Sequence, residues 1–168
     1  MRDTIPMTRR LLPLLAVLAV TPTATAEAKP TTCKTTTIEN ALKDAGESTG
    51  AGIAQVRCGD VTSDGTKDAV FTVNSGGTAG PTQFGVLRGA SETAGDLELV
   101  LLKDGYKVTV DRVSKRRFDV QQPIYKSNDA NCCPSAYRIT PFLWNGERFK
   151  AGKSDRNKKP RQRFFDQG

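Results

Sequence analysis

The stretch LELVLLKDGYKVTVDRV, Leu97 to Val113, decides the fold class that the sequence predicts. It opens with an apolar run of the length of a buried strand, and KDG (Lys103–Gly105) then has the composition of a turn. After the turn, Tyr106, Val108 and Val110 alternate with polar residues, which is the period of a strand with one buried face. The stretch therefore predicts a β-hairpin.

Shorter patterns of the same kind occupy most of the chain on either side. Before the hairpin they are GIAQVRC, DAVFTV and QFGVLR, and after it they are FDVQQ, YRITPFLW and ERFKA. Asn145-Gly146 joins the last two and favours a tight hairpin turn. Pro123 is expected to end the FDVQQ strand, and Pro141 within its strand indicates an edge position or a bulge.

One helix is predicted before these strands. Apolar residues recur at helical spacing on one face, at Ile38, Ala41, Leu42 and Ala45. Thr36, followed three residues later by Glu39, matches a capping box, and Gly46 ends the pattern. The expected fold class is α+β and β-rich, with one N-terminal helix followed by about seven or eight mostly antiparallel strands.

The N-terminus predicts the compartment. Three arginines precede the apolar run Leu11–Val20, and small residues follow it, with cleavage expected after Ala26 or Ala28. That order is typical of a secretory signal peptide. An apolar run of ten residues is too short for a membrane-spanning helix, which needs roughly 20. We therefore expect residues 1–28 to be a signal peptide and the protein to be secreted or extracytoplasmic.

The rest of the chain divides into a domain and a tail. Residues 29–150 have the length and patterning of a single secreted β-rich domain. Residues 151–168 are rich in lysine and arginine and poor in apolar residues until Phe164 and Phe165, so they predict a disordered tail. Its positive charge would attract an anionic cell-surface polymer or a membrane surface. A nucleic-acid partner is not expected, because an exported protein seldom meets one.

Four cysteines, Cys33, Cys58, Cys132 and Cys133, are an even number in a chain expected to reach an oxidising compartment, so disulfides are predicted. Four cysteines allow three connectivities, and the sequence leaves all three open. Pairing Cys33 with Cys58 closes the shorter loop and is favoured, which would leave the adjacent pair to form a vicinal bond. A zinc site is the rival interpretation, but the chain has no histidine and no CxxC spacing.

The sequence DVTSDGTKD, Asp60 to Asp68, offers a candidate calcium site with ligands at Asp60, Thr62, Asp64, Thr66 and Asp68. Hard cations take oxygen ligands from alternate residues of such a loop, with a glycine at the bend. The loop resembles the calcium loop of FG-GAP and VCBS-type modules, departing from it at Thr62 and Ser63. The resemblance implies Ca²⁺ as a stabilising ion. The alternative is a plain turn in which the carboxylates accept backbone hydrogen bonds.

A second resemblance lies at CCPSAYRITPFLWNG, Cys132 to Gly146. Together with the first helix and the acidic loop, this segment is similar to small bacterial secreted domains that carry a CCPS segment before a final aromatic hairpin. That resemblance implies a fold rather than a particular function.

The absence of histidine argues against most catalytic classes. Nucleophilic triads need an imidazole base, and most catalytic zinc sites need histidine ligands. The expected function is an extracellular binding or structural module, organised by Ca²⁺ at the acidic loop. The alternative is a small secreted hydrolase using a carboxylate pair. A hydrolase should show acids converging in a concave site away from Asp60, whereas a binding module should show exposed aromatics such as Tyr137 or Trp144.

Overall fold

A computed structural model describes residues 31–90 and 96–161. The predicted signal peptide and residues 162–168 of the tail lie outside these ranges. The described chain begins with a short 3-10 turn, Thr31–Cys33, and one helix, α1 (Thr35–Asp44). The strands that follow are β1 (Ile53–Gly59), β2 (Asp68–Asn74), β3 (Pro81–Arg88), β4 (Glu98–Asp104), β5 (Thr109–Ser114), β6 (Arg117–Ile124), β7 (Ala136–Trp144), β8 (Phe149–Ala151) and β9 (Asp155–Asn157).

The strands form two antiparallel sheets that divide the chain in sequence order. The first sheet has the order β1-β2-β3-β4, and the second has the order β5-β6-β7-β8, with β9 also paired to β7. Within each four-strand path, every strand pairs with its neighbours in sequence. The predicted fold class, β-rich with one helix before antiparallel strands, is confirmed.

The layers stack in the order helix, first sheet, second sheet. One core cluster joins α1 to the first sheet and includes Ile38, Leu42, Phe71 and Leu87. The other lies between the two sheets and includes Val70, Phe84, Val86, Val110, Phe118, Val120 and Phe142. Because both of its faces are covered, β2 is buried along all but its last residue. This explains why Ala69, Val70 and Phe71 are apolar in succession rather than alternating with polar residues.

The predicted hairpin between LELVLL and YKVTV is wrong. β4 pairs with β3, and β5 pairs with β6, so the two strands belong to different sheets. Between them the backbone turns through Lys107, which has a left-handed φ of 48°. The crossing segment bonds to the start of β3, because the amides of Gly105 and Val108 donate to the carbonyls of Thr82 (2.8 Å) and Pro81 (3.0 Å).

Two local expectations also need correction. The helix begins at Thr35 with Lys34 at its N-cap, and no side chain caps it, so the capping box is absent. Pro123 does not end its strand but pairs with Tyr137 inside the second sheet. Pro141 lies within β7, where it falls between the residues that pair with β8 (142–144) and those that pair with β9 (137–139). A proline fits there because no strand on that side needs its missing amide.

The cysteines lie at disulfide distance in two pairs. Cys33–Cys58 ties the 3-10 turn to β1 with Cα atoms 6.1 Å apart, and Cys132–Cys133 is a vicinal pair. This is the pairing that the sequence favours. Among the described residues, no helix has the length and apolar character needed to cross a membrane.

The described part of the expected disordered tail is structured. Asp155–Asn157 forms β9 on the edge of β7, and Arg161 bonds to residues of β6. The expectation of disorder from residue 151 is therefore corrected as far as residue 161. Pairing to β7 supplies the backbone bonds that the composition of the segment did not suggest.

Candidate functional site

Asp68 anchors the acidic loop between β1 and β2. Its side chain is fully buried, and one oxygen accepts hydrogen bonds from the amide (2.8 Å) and hydroxyl (3.0 Å) of Thr62. The other oxygen accepts from the amide of Gly89, just after β3, at 3.0 Å. Burial raises the pKa of Asp68, and these hydrogen bonds oppose the rise without cancelling it. The carboxylate therefore fastens the loop to the end of β3.

Asp60 and Asp64 hold the bend of the same loop. Asp60 Oδ1 accepts from the amide of Asp64 at 3.0 Å, and Asp64 Oδ1 accepts from the amide (2.8 Å) and hydroxyl (2.5 Å) of Thr66. Burial alone would raise the pKa of Asp64, but the hydrogen bonds from Thr66 and the nearby charge of Arg88 outweigh it and lower the pKa. Asp64 Oδ2 is buried with no hydrogen-bond partner among the described residues and lies 3.9 Å from Arg88 Nε.

The structure thus brings all five predicted calcium ligands into one loop. The carboxylates of Asp60, Asp64 and Asp68 accept hydrogen bonds from groups of the protein itself, as in the plain-turn alternative. Within residues 31–90 and 96–161, no group of three or more His, Cys, Asp or Glu side chains is arranged to hold a metal ion. Calcium binding at this loop stays a prediction.

The outer face of the second sheet, which points away from the first sheet, carries a cluster of arginines around one buried carboxylate. Asp119 in β6 is fully buried. Arg117 Nε lies 2.9 Å from its Oδ1, and Arg161 Nη1 lies 3.1 Å from its Oδ2. Arg112 Nη1 is 3.9 Å away. Three guanidinium groups therefore surround this carboxylate, and Asp111 lies directly opposite it in β5.

The segment after β9 runs back across this outer face. Asn157 pairs with Tyr137 in β7, whereas the amide of Arg161 donates to Gln121 Oε1 in β6 at 3.0 Å. Lys158 and Lys159, both exposed, lie between these two anchors. The lysines of the tail are therefore held on the second sheet.

The charge of the whole molecule divides between the sheets. Residues 31–104, which include the helix and first sheet, contain six Lys or Arg and ten Asp or Glu. Residues 105–161, which form the second sheet and its loops, contain fourteen Lys or Arg and five Asp or Glu. We call the exposed cations of the second half the basic surface: Arg112, Lys115, Arg116, Lys126, Arg138, Arg148, Lys150, Lys153, Arg156, Lys158 and Lys159.

The loop of residues 126–135, which carries the vicinal disulfide, is closed by Asp129. Its carboxylate accepts hydrogen bonds from the amides of Lys126 and Ser135, both at 2.8 Å, and from the Ser135 hydroxyl at 2.7 Å. The Lys126 and Ser135 hydrogen bonds lower the pKa of Asp129. Lys107 holds the loop against β5, because its ammonium group donates to the carbonyl and side-chain oxygens of Asn131, both at 2.7 Å.

The two aromatics expected at a binding surface differ in their placement. Trp144 is 8% exposed and packs in the core between the sheets, against Phe149. Tyr137 is half-buried on the outer face, where it lines a cavity with Tyr125. The expectation of an exposed Trp144 is therefore wrong, because the core uses its side chain.

Two carboxylates among the described residues line the same cavity, which partly meets the requirement of a hydrolase. Asp44 of α1 and Glu98 of β4 both line a cavity of about 520 Å³ between the helix and the first sheet. Glu98 is held by Arg88, with Nη2 to Oε2 at 2.6 Å. A glycosidase needs one carboxylate to act as an acid and the other as a base or nucleophile. The ion pair with Arg88 already uses the Glu98 carboxylate, so these two residues carry no proposal of hydrolysis.

Sequence reasoning missed Lys107, Asp119 and Arg161 as residues that organise the outer face. The one available signal was the density of basic residues after position 105, which was assigned to the tail alone. The contacts themselves join residues up to 42 positions apart. No protein-family model, curated protein or solved structure matches this chain, so its fold and its candidate sites rest on its own residues.

Proposed function

We propose that this chain is an exported binding module that associates with an anionic polymer through the basic surface of its second sheet. The observation that carries the proposal is the segregation of charge, with a net charge of +9 over residues 105–161, from fourteen cations and five anions, and −4 over residues 31–104, from six and ten. A surface dominated by one sign attracts and orients a polymer of the opposite sign. Export is supported by the N-terminal pattern and by the two cysteine pairs at disulfide distance.

Two of these cations are held side by side by strand pairing. Arg138 of β7 lies directly opposite Arg156 of β9, and both are exposed. Like charges at directly opposite positions of an antiparallel pair destabilise it, because their Cβ atoms are only about 5 Å apart. A polyanion that bridges the two guanidinium groups would relieve that repulsion. The pair is therefore a natural contact point for the polymer.

A calcium ion at the acidic loop is the second part of the proposal, as a stabiliser of the first sheet. It is favoured by Asp64 Oδ2, a buried carboxylate oxygen without a hydrogen-bond partner among the described residues. The loop lies in the acidic half of the chain. Its role would be to hold β1, β2 and the end of β3 together rather than to contact the polymer.

The experiment compares two variants with the same change in charge. One replaces Lys115, Lys150, Lys158 and Lys159 of the basic surface with Gln, and its matched control replaces Lys34, Lys43, Lys67 and Lys103 with Gln. All eight lysines are exposed. The full chain is expressed with its own N-terminus and purified from the exported fraction. Binding is then measured to polyphosphate, polyglutamate, neutral dextran and anionic phosphatidylglycerol vesicles at low and high salt.

We expect both anionic polymers to bind, neutral dextran not to bind, and the affinity to fall steeply as salt screens the charges. The basic-surface variant should lose most of the binding, while its control retains it. Equal losses in both variants would mean that binding depends on net charge alone, which would overturn the proposed surface. Binding to the vesicles but to neither anionic polymer would indicate that the partner is a membrane instead of a polymer. Export itself is checked by N-terminal sequencing, which should begin at Glu27 or Lys29.

A further inference from the structure

The edges of the two sheets differ in what lies beside them. The edge strands β1 and β5 lie against each other. The outer side of β7 carries β8 and β9, which have only three residues each. The remaining edge is β4, which has seven residues and, among residues 31–90 and 96–161, pairs with β3 alone. The amides and carbonyls on its outer side can therefore pair with a further strand.

The middle of β4 lacks the charge or proline that often protects an edge strand. Its sequence is ELVLLKD, in which four successive apolar residues, 99–102, lie between charged ends. All four are only partly buried, whereas β2 is buried along all but its last residue. The β4 strand thus keeps apolar surface that an added strand would remove from water.

A bulge at Val100 determines which face of the sheet each apolar side chain occupies. Leu99 and Leu101 pair with successive residues of β3, so Val100 has no partner there. As a result, Val100 and Leu101 both pack against the core between the sheets, whereas Leu99 and Leu102 pack against the core beneath the helix. From residue 99 to residue 102 the order of faces is therefore helix side, second-sheet side, second-sheet side, helix side.

This symmetric order makes β4 complementary to a second copy of itself. Consider an antiparallel pair with a two-fold axis perpendicular to the sheet, passing between residues 100 and 101. Leu99 then lies opposite Leu102 of the second copy, and Val100 lies opposite Leu101. Both members of each pair share one face, as directly opposite residues must. A shift by one residue would oppose Val100 to Leu102, which lie on different faces, so the faces select one register.

The same register brings opposite charges together at both ends of the pair. Glu98 lies opposite Lys103 of the second copy, and both side chains are exposed. Glu98 is bonded to Arg88 of β3, with Nη2 to Oε2 at 2.6 Å, so charges would alternate across three strands. Opposite charges at such positions stabilise an antiparallel pair. The shifted register would instead oppose Glu98 to Asp104, which have like charges.

A cavity on the helix side of this edge leaves room for the second copy. It measures about 520 Å³, lies between α1 and the start of β4, and is lined in part by Ala41, Leu97 and Leu99. Leu97 is 38% exposed. Because Leu102 of the second copy would lie opposite Leu99 on the helix side, its side chain would lie at the mouth of this cavity.

We propose that the chain forms a two-fold symmetric homodimer in which the β4 strands of two copies pair antiparallel. The two first sheets, each of four strands, then join into one continuous sheet. Such an interface uses the same patch on both copies. The pairing covers residues 98–103 of each copy, so the interface belongs to the small, reversible class. The dimer does not depend on the proposed association with a polymer, but it would present two basic surfaces to one.

The test follows the full exported chain as a function of its concentration. Sedimentation equilibrium from micromolar to near-millimolar protein should show a monomer–dimer equilibrium. Amide hydrogen exchange, measured residue by residue by NMR, should become slower in β4 as the dimer forms. Exchange in β8, an edge strand outside the proposed interface, should not change with concentration.

The decisive variant is Lys103→Glu, which places like charges opposite each other at both ends of the pair. We expect it to weaken the dimer about tenfold. The matched control is Lys115→Glu, the same change of charge at an exposed residue in the turn between β5 and β6. It should leave the dimer unchanged. Circular dichroism and thermal unfolding check that both variants are folded.

A mixture of two variants tests the register itself. Glu98→Lys alone should weaken the dimer as Lys103→Glu does, because two cations then lie opposite each other. Mixing the two variant chains should restore a heterodimer, since every glutamate then lies opposite a lysine. Lys103 is also one of the four lysines in the control for polymer binding, so that comparison is made at concentrations where the protein is monomeric.

The proposal is overturned if the wild type stays monomeric over the whole concentration range. It is also overturned if a dimer forms without slower exchange in β4, or if Lys115→Glu weakens the dimer as much as Lys103→Glu does. A mixture of folded Lys103→Glu and Glu98→Lys chains that stays monomeric would contradict it as well.

Discussion

The side-chain amide of Gln55 makes both hydrogen bonds that a neighbouring strand would make with Val110. Gln55 Nε2 donates to the carbonyl of Val110 at 2.8 Å, and the amide of Val110 donates to Gln55 Oε1 at 2.9 Å. Gln55 lies in β1 and Val110 in β5, which are edge strands of the two sheets. One side chain therefore joins the edges of both sheets in the buried interior.

Replacing Gln55 with Leu introduces an apolar side chain of similar size and leaves both backbone groups of Val110 without partners. Each unsatisfied buried group costs about 1–3 kcal/mol, so we expect the free energy of unfolding to fall by about 3 kcal/mol. Chemical denaturation of the full chain measures it. The matched control is Gln83→Leu, which removes an exposed bond to Asp104 and should change stability by less than about 0.5 kcal/mol. Equal effects would show that Gln55 has no bridging role.

Arg161→Ala should release the segment that crosses the outer face. It removes the bond to buried Asp119, and because the Arg161 side chain is 26% exposed, we expect a loss of only about 1–2 kcal/mol. Trypsin should then cleave faster after Lys158, which measures local opening. The control is Arg156→Ala, which removes one of two opposed arginines and should leave stability unchanged or slightly higher. Unchanged cleavage in Arg161→Ala would contradict this anchoring.

Calcium should raise the stability of the full chain if the acidic loop binds it. At 100 times its dissociation constant, an ion that binds only the folded state adds about 2.7 kcal/mol, which is several degrees in Tm for a domain of this size. Thermal unfolding is compared in EDTA, in Ca²⁺ and in Mg²⁺. The calcium-dependent rise should disappear in Asp64→Ala and persist in Asp44→Asn, an exposed carboxylate outside the loop. No rise in the wild type would leave the loop as a plain turn.

Lowering the pH should open the loop of residues 126–135. Hydrogen bonds lower the pKa of Asp129 below its ordinary value of 3.8. A carboxylate whose pKa is lower in the folded state contributes stability above its unfolded pKa and loses it as the pH falls through its folded pKa. The amide resonances of Lys126 and Ser135 should therefore shift together only below pH 3.8. Their titration should vanish in Asp129→Asn, and a midpoint above 3.8 would contradict the assignment.

Local patterns predicted the elements well because each element is encoded by its own residues. DAVFTV became a strand buried on both faces, and Ile38 and Leu42 became the buried face of the helix. Local patterns did not predict which strands pair with one another. The patterns around Lys103–Gly105 suit a hairpin equally well, and only the bonds from Gly105 and Val108 to the start of β3 send the chain into the second sheet.

The candidate sites show the same division. The acidic loop is contiguous in sequence, so its existence was predictable, yet one of the donors to Asp68 is Gly89, 21 residues away. The cavity beneath the vicinal disulfide is assembled from residues between positions 107 and 137 on three strands and a loop. No regular spacing in the sequence marks such a set, because its members are close in space without recurring at a fixed interval along the chain.

Strand pairing between sequence neighbours has a consequence for how the chain matures. A polypeptide that emerges from its N-terminus can complete the first sheet by Asp104, before any strand of the second sheet exists. During that interval Val70, Phe84 and Val86 have nothing to cover them, because their partners, Val110, Phe118 and Val120, arrive later. The apolar face of the first sheet therefore stays uncovered until the second sheet has formed. A pause or truncation after Asp104 would leave an apolar sheet face open to association with its own copies.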